Sequence, residues 1–156
     1  MPNITLRFYR NGSFSSRLIE LTGRYSHVDA LGTYTPFLYG ARSDTIGNRP
    51  PGVRYRNPYD GGPYEDLSMA VGGEPYSKFW AFLWEQYAKP YDYRCILGFL
   101  FDRDWHENDS WICSELQMAA LQYAGVIPPL DITTNKITPG TLAVAFQVAG
   151  AVKVPK

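Results

Sequence analysis

Hydrophobic positions along the chain repeat with two different periods, and the places where the period changes divide it into elements. ITLRFYR (4–10) reads as a strand rich in β-formers and stops at Asn11-Gly12, a turn pair. SFSSRLIELTG (13–23) switches to helical spacing at Phe14, Leu18 and Leu21 and closes on a glycine. RYSHVDAL (24–31) and TYTPFLYGAR (33–42) lie on either side of Gly32 and predict a hairpin, with Pro36 pushing the second strand towards an edge or a bulge. From Ser43 to Asp66 no period holds, and Pro, Gly, Arg and Tyr crowd together, which predicts a long loop bordering a functional cleft.

EPYSKFWAFLWEQYA (74–88) predicts a helix, with Pro75 in the first turn and Phe79, Phe82, Leu83, Trp84 and Tyr87 at helical spacing. YRCILGFLF (93–101) is apolar and short, and reads as a buried helix. After the acidic stretch DRDWHENDS comes SWICSELQMAALQYAG (110–125), a helix with Ser110 as its expected cap and Gly125 ending it. Thr138-Pro139 is a cap followed by proline at the first helical position, opening TPGTLAVAF, and AVKVP predicts a closing strand. These elements form one α+β domain over 1–156, in which a small antiparallel sheet packs against helices.

Composition narrows the function. Fifteen basic residues balance fifteen acidic ones, so the charge calls for neither nucleic acid nor an anionic membrane surface. No stretch approaches a membrane span and the N-terminus lacks the basic-then-apolar signature of a secretory signal, so the expected setting is cytoplasmic, or one reached without a Sec signal. In that setting the two cysteines are expected as free thiols.

Cys113 opens a helix that is apolar almost throughout, where the unpaired N–H groups and the helix dipole favour a thiolate; the plainer reading is a small buried hydrophobe, which is how Cys95 reads. Of the two histidines, His106 lies in a polar loop. His27 lies in a strand whose alternation puts Tyr25, His27 and Asp29 on one face. No paired Cys or His spacing of a zinc site occurs, and Glu107 and Cys113 stand where a calcium loop needs Gly and Glu, so no metal and no other cofactor is expected. Arg54, Tyr55, Arg56 and Tyr59, in the 43–66 segment, are the candidate substrate-binding residues, since guanidinium and aromatic groups together clamp carboxylates or stack on rings.

The order ITLRFYR, SSRLIELTGRYSHVDAL, PYDYRCILGFL, WICSELQMAALQYAG and ITPGTLA resembles the permuted NlpC-type branch of the papain-like cysteine hydrolases, the YiiX-like proteins, over about residues 4 to 142. The resemblance implies a circularly permuted papain-like fold, Cys113 as nucleophile, His27 as its base, and hydrolysis of an amide or ester in a peptide, peptidoglycan-fragment or lipid-like substrate. Family members carry an imidazole-orienting acid at the end of the next strand, where this chain has Gly40. Tyr39 and Asp29 are the substitutes on offer, although same-face neighbours on a strand lie about 6.5 Å apart along it. Glycine at 40 favours the alternative, a non-catalytic lipid- or peptide-binding module on the same fold. A phage or prophage structural protein is also compatible with so short a chain. The apolar helix opening in Cys-Ser-Glu implies an N-terminus that faces a cleft.

Overall fold

A computed structural model describes residues 1–10, 24–93, 110–130 and 137–155. Within them the chain forms an α+β fold: a six-stranded antiparallel sheet and three helices. The strands are β1 (Asn3–Tyr9), β2 (His27–Leu31), β3 (Leu38–Arg42), β4 (Gly52–Arg56), β5 (Tyr64–Ala70) and β6 (Val152–Lys153), in the spatial order β4-β3-β2-β1-β5-β6. The helices are α1 (Gly73–Glu85), α2 (Cys113–Tyr123) and α3 (Pro139–Val148). No helix among the described residues is long and apolar enough to cross a membrane.

The sheet has two unlike faces. Ile4, Leu6 and Phe8 of β1, Val28 and Ala30 of β2, Tyr39 and Ala41 of β3, Val53 of β4 and Leu67 of β5 are all buried and share one apolar core with Phe79 and Leu83 of α1, Leu116 and Leu121 of α2, and Leu142 and Phe146 of α3. The alternate residues make the other face. There Thr5 meets Ser68 at 2.9 Å across the strands and Arg7 grips Asp66 through two bonds of 2.8 Å. Tyr9 meets both Tyr64 and the imidazole of His27. Period-two alternation therefore separates an apolar layer that binds the helices from a polar layer built of cross-strand pairs.

α2 is buried at eight of its eleven positions, because the sheet, α1 and α3 all pack on it. Its termination at Gly125, with φ of 72°, follows the expected glycine stop. α3 begins as its sequence predicts: Thr138 accepts the Thr141 N–H at 3.0 Å, and Pro139 fills the first turn. α1 likewise carries Pro75 in its first turn. The expected strand at AVKVP is the two-residue β6.

Several expectations are corrected. Residues 43–66 are not one loop: they hold β4 and the start of β5, and β4 is bolted to the core. Its inner edge pairs with β3, while Val53 exchanges bonds of 2.9 Å with Lys89 and Ala88 on the other side. Arg56, 2% exposed, donates to the carbonyls of Gly40, Pro50, Gly52 and Arg54, so removing the segment would take a sheet strand with it. β2 and β3 are antiparallel neighbours, as the hairpin reading has it, but β3 lies inside the sheet between β2 and β4; Pro36 precedes the strand and costs it no ladder bond. The expected helix at 13–23, nearly all of the segment 93–101 with Cys95, and His106 lie outside the described residues.

The close fit of β4 against residues 88–90 generates a stability prediction. Gly52 has φ of 105°, and a Cβ there would press on the Lys89 carbonyl. Gly52→Ala is expected to destabilise the fold by about 2 kcal/mol, read from the urea unfolding midpoint.

Candidate functional site

His27 opens β2 directly opposite Tyr9 of β1, and its ring stacks on that of Tyr9 at 5.9 Å between centroids. Strand alternation begins only at His27. Tyr25 precedes the strand and packs on Phe8, on the apolar side, so the expected three-residue face reduces to His27 and Asp29. Both are buried, at 5% and 1% exposure.

Nε2 of His27 lies 3.0 Å from Oδ2 of Asp29. The approach is off the ring N–H axis, so the contact is an ion pair and not an aligned hydrogen bond. Charge decides the protonation of both groups. Burial is the largest influence on His27 and lowers its pKa, but the Asp29 carboxylate and the charge of an ionised Cys113 together outweigh it, and the net shift is upward. Burial likewise works to raise the Asp29 pKa; the imidazole, Arg42 and Tyr59 overcome it and take the carboxyl well below its usual range.

The aspartate fits because residue 40 is glycine. Continuing the β2–β3 register from Ala30 opposite Tyr39 sets Gly40 across from Asp29, and a Cβ on Gly40 would collide with Oδ1. Gly40, where the resemblance expects an acid, is thus the space that an acid on the neighbouring strand occupies. Behind Asp29 the polar layer closes. Tyr59 donates its hydroxyl in a short hydrogen bond to Oδ2; Arg42 donates to the Tyr59 oxygen at 2.8 Å and is held by Asp44 through bonds of 2.7 and 2.9 Å.

Cys113 is the first residue of α2 and is fully buried. The cap position is Ile112, which makes no side-chain cap bond, so the expected cap at Ser110 is corrected. The polar opening of the helix is buried as well, where an open cleft was expected: Ser114 donates to the Ile137 carbonyl at 2.5 Å and ties α2 to the entry of α3, while Glu115 is 1% exposed. The thiol belongs to the apolar core, yet its ionised form raises the pKa of His27. That coupling acts through charge; no hydrogen bond joins Sγ to the ring among the described residues.

The other candidates lie elsewhere. Tyr39 points to the helix side, donates to the Leu83 carbonyl at 2.8 Å and packs against Trp84, so it does not orient His27. Arg54 lies over the Tyr87 ring and Tyr55 stacks on that same ring, at the C-terminal end of α1. Arg56 is spent on backbone carbonyls; only Tyr59 of these four reaches the imidazole's partner. A cavity of about 730 Å³ lies around Arg10, Tyr64, Glu65 and Lys153, and shares no residue with the Cys113–His27 neighbourhood. Among the described residues no group of three His, Cys, Asp or Glu side chains is arranged to hold a metal.

Three participants escaped the sequence reading. Arg42 and Tyr9 are strand residues that meet the site through segments distant in the chain, Arg42 through Tyr59 and Tyr9 through His27 and Tyr59. Gln117, one turn after Cys113, is fully buried and donates to the Tyr39 carbonyl at 2.8 Å, fixing α2 on β3. A glutamine inside so apolar a helix was its only signal. No protein-family model and no curated protein sequence matches the chain.

The ion pair makes a pH-dependent contribution to stability. The Asp29 part is fully present above the ordinary carboxylate value of 3.8 and is lost as pH falls towards about 2. The His27 part is fully present below the ordinary 6.5 and is lost as pH rises through the raised imidazole value. Asp29→Asn is therefore expected to cost about 3 kcal/mol near pH 5 and less near pH 9, measured by urea unfolding at the two pH values. Gly40→Ala, which displaces the carboxylate, should show the same narrowing.

Proposed function

We propose that the protein is a cysteine hydrolase of the permuted papain-like type, with Cys113 as nucleophile, His27 as acid and base, and Asp29 as the residue that orients the imidazole. The observation that carries the reading is the buried His27–Asp29 ion pair, whose imidazole also responds to the charge of a cysteine at a helix N-terminus. A buried charged pair on a polar sheet face is expensive to maintain, and a fold is stable without one. Its coupling to a thiol is the arrangement that acyl transfer needs.

With Nε2 held by Asp29, Nδ1 is the nitrogen left to exchange a proton with Sγ. The thiol gives its proton to His27 and the thiolate attacks the carbonyl carbon of an amide or ester, forming a C–S bond and an oxyanion. The backbone N–H of Cys113, free of a side-chain cap at the first turn, is one donor to that oxyanion. Collapse breaks the bond to the amine or alkoxide, which takes the proton from imidazolium, and leaves a thioester. His27 then takes a proton from water; the hydroxide displaces the thiolate and releases the acid. The substrate class is a peptide, a peptidoglycan fragment or a lipid-like ester, and the chemistry calls for no cofactor.

One observation favours the second reading, a non-catalytic lipid- or peptide-binding module: Cys113 is 0% exposed, so Sγ meets no solvent. On the hydrolase reading, substrate reaches the thiol only when the first turn of α2 is uncovered.

Thiol labelling separates the two. Iodoacetamide near neutral pH is expected to modify Cys113 at least about tenfold faster than Cys95, with His27→Ala slowing that labelling and His106→Ala leaving it unchanged, as read by mass spectrometry of the two peptides. Equal rates at the two thiols, or a Cys113 rate indifferent to His27, would put the binding module ahead.

A further inference from the structure

The contacts behind Asp29 are more elaborate than orientation of a histidine requires. The oxygen that faces His27, Oδ2, is the same oxygen that accepts from Tyr59, and the Tyr59 hydroxyl is in turn fixed by Arg42. Arg42 is 8% exposed, and its Nε and Nη2 are committed to Asp44 by a bidentate pair. Its guanidinium also lies over the Tyr59 ring, 4.8 Å from the centroid, so ring and hydroxyl are both held. Tyr59 stacks on Tyr9, which stacks on His27, closing a circuit of three rings and two charges around one carboxylate.

We infer that Arg42 and Tyr59 are positioning residues which hold the Asp29 oxygen that faces His27, Tyr59 directly and Arg42 through Tyr59, and weaken its hold on the His27 proton. The inference rests on the hydrolase reading for its purpose, though not for its geometry. A carboxylate alone beside a buried imidazole would lock the ring as imidazolium, unable to take a proton from the thiol or from water. A hydrogen bond to that same oxygen, with a cation behind the donor, draws part of the carboxylate's charge away, so that Asp29 still orients the ring but the ring continues to exchange its proton. The electrostatics run in that sense: the Arg42 cation lowers the His27 pKa and Asp29 raises it. The other groups acting on the imidazole are accounted for. Tyr9 of β1 is held neutral, its pKa pushed up to about 12 chiefly by burial. Asp44, beyond β3, is paired with Arg42, and Cys113 of α2 raises the imidazole pKa only when ionised.

Two roles for Arg42 predict opposite signs. If it only holds the network together, its loss frees Asp29 to drift from the imidazole and the His27 pKa falls. If it attenuates the carboxylate's charge, its loss raises that pKa.

The experiment is an NMR titration of the imidazole Cε1–H in the full chain carrying Cys113→Ala, which removes the thiol, with His106→Ala identifying the second histidine signal. Asp29→Asn is expected to lower the His27 midpoint, Arg42→Gln to raise it, and Arg42→Lys, which keeps the charge, to fall between Arg42→Gln and the parent. Tyr59→Phe should also raise it, since the carboxylate then loses a donor. A downward shift or no shift in Arg42→Gln overturns the attenuating role of the arginine, and no shift in Tyr59→Phe overturns that of the tyrosine. Should Arg42→Gln fail to fold, Arg42→Lys and Tyr59→Phe decide it: no upward shift in either overturns the inference. Because the readout is the imidazole and not the thiol, failure of the hydrolase reading appears separately, in the labelling of Cys113.

Discussion

A carboxylate removed from water must be repaid by other charges and donors, and that requirement organises one whole face of this sheet. Taking Asp29 and His27 out of solvent costs several kcal/mol for each ion, more than most single contacts return. The pair persists because the His27-facing oxygen of Asp29 is furnished with the imidazole at 3.0 Å and the Tyr59 hydroxyl, itself held by Arg42, while the Tyr9 ring lies against the imidazole; the other carboxylate oxygen has no hydrogen-bond partner among the described residues. The absent side chain matters as much as those present. Any residue larger than glycine at 40 would occupy the position of the carboxylate.

The same face continues outward through pairs that need less shielding. Arg7 with Asp66 and Thr5 with Ser68 occupy the part-buried region of β1 and β5, where water relieves the cost of charge. Polarity is therefore graded along β1: hydroxyls and then a part-buried ion pair along its length, and the shielded imidazole opposite its end. The far side of the sheet is mainly apolar, with Glu65 of β5 the exception, and supports the helices.

α2 is where the two faces are brought into relation. It carries Cys113 in the core, is fastened to β3 by Gln117 and to the α3 entry by Ser114, and begins without a side-chain cap. Those anchors fix the first turn of α2, and Cys113 with it, in place against β2 and β3.

Elements whose burial is one-sided were legible in the sequence, because a single packing partner leaves a clean period. β1 alternates, α1 shows its buried Phe79 and Leu83, and α3 announces itself by Thr138-Pro139. β4 and β5 were not legible. In β4 the inward Val53 is followed by Arg54 and by Arg56, the latter buried; in β5 Glu65 takes an inward position and breaks the hydrophobic alternation. The chemical types at the site, a cysteine opening a helix and a histidine followed two residues later by an aspartate, were determined by the sequence itself. What only the tertiary structure decided is that Asp29, and not Tyr39, meets the imidazole. Strand spacing sets the two Cα atoms about 6.5 Å apart, too far for contact from the backbone alone. The side chains lean together because a neighbouring strand presents glycine at the register position opposite Asp29, and Tyr59, thirty residues on in the chain, holds the carboxylate there. A cross-strand vacancy and a long-range hydrogen bond are properties of packing, and no local spacing encodes them.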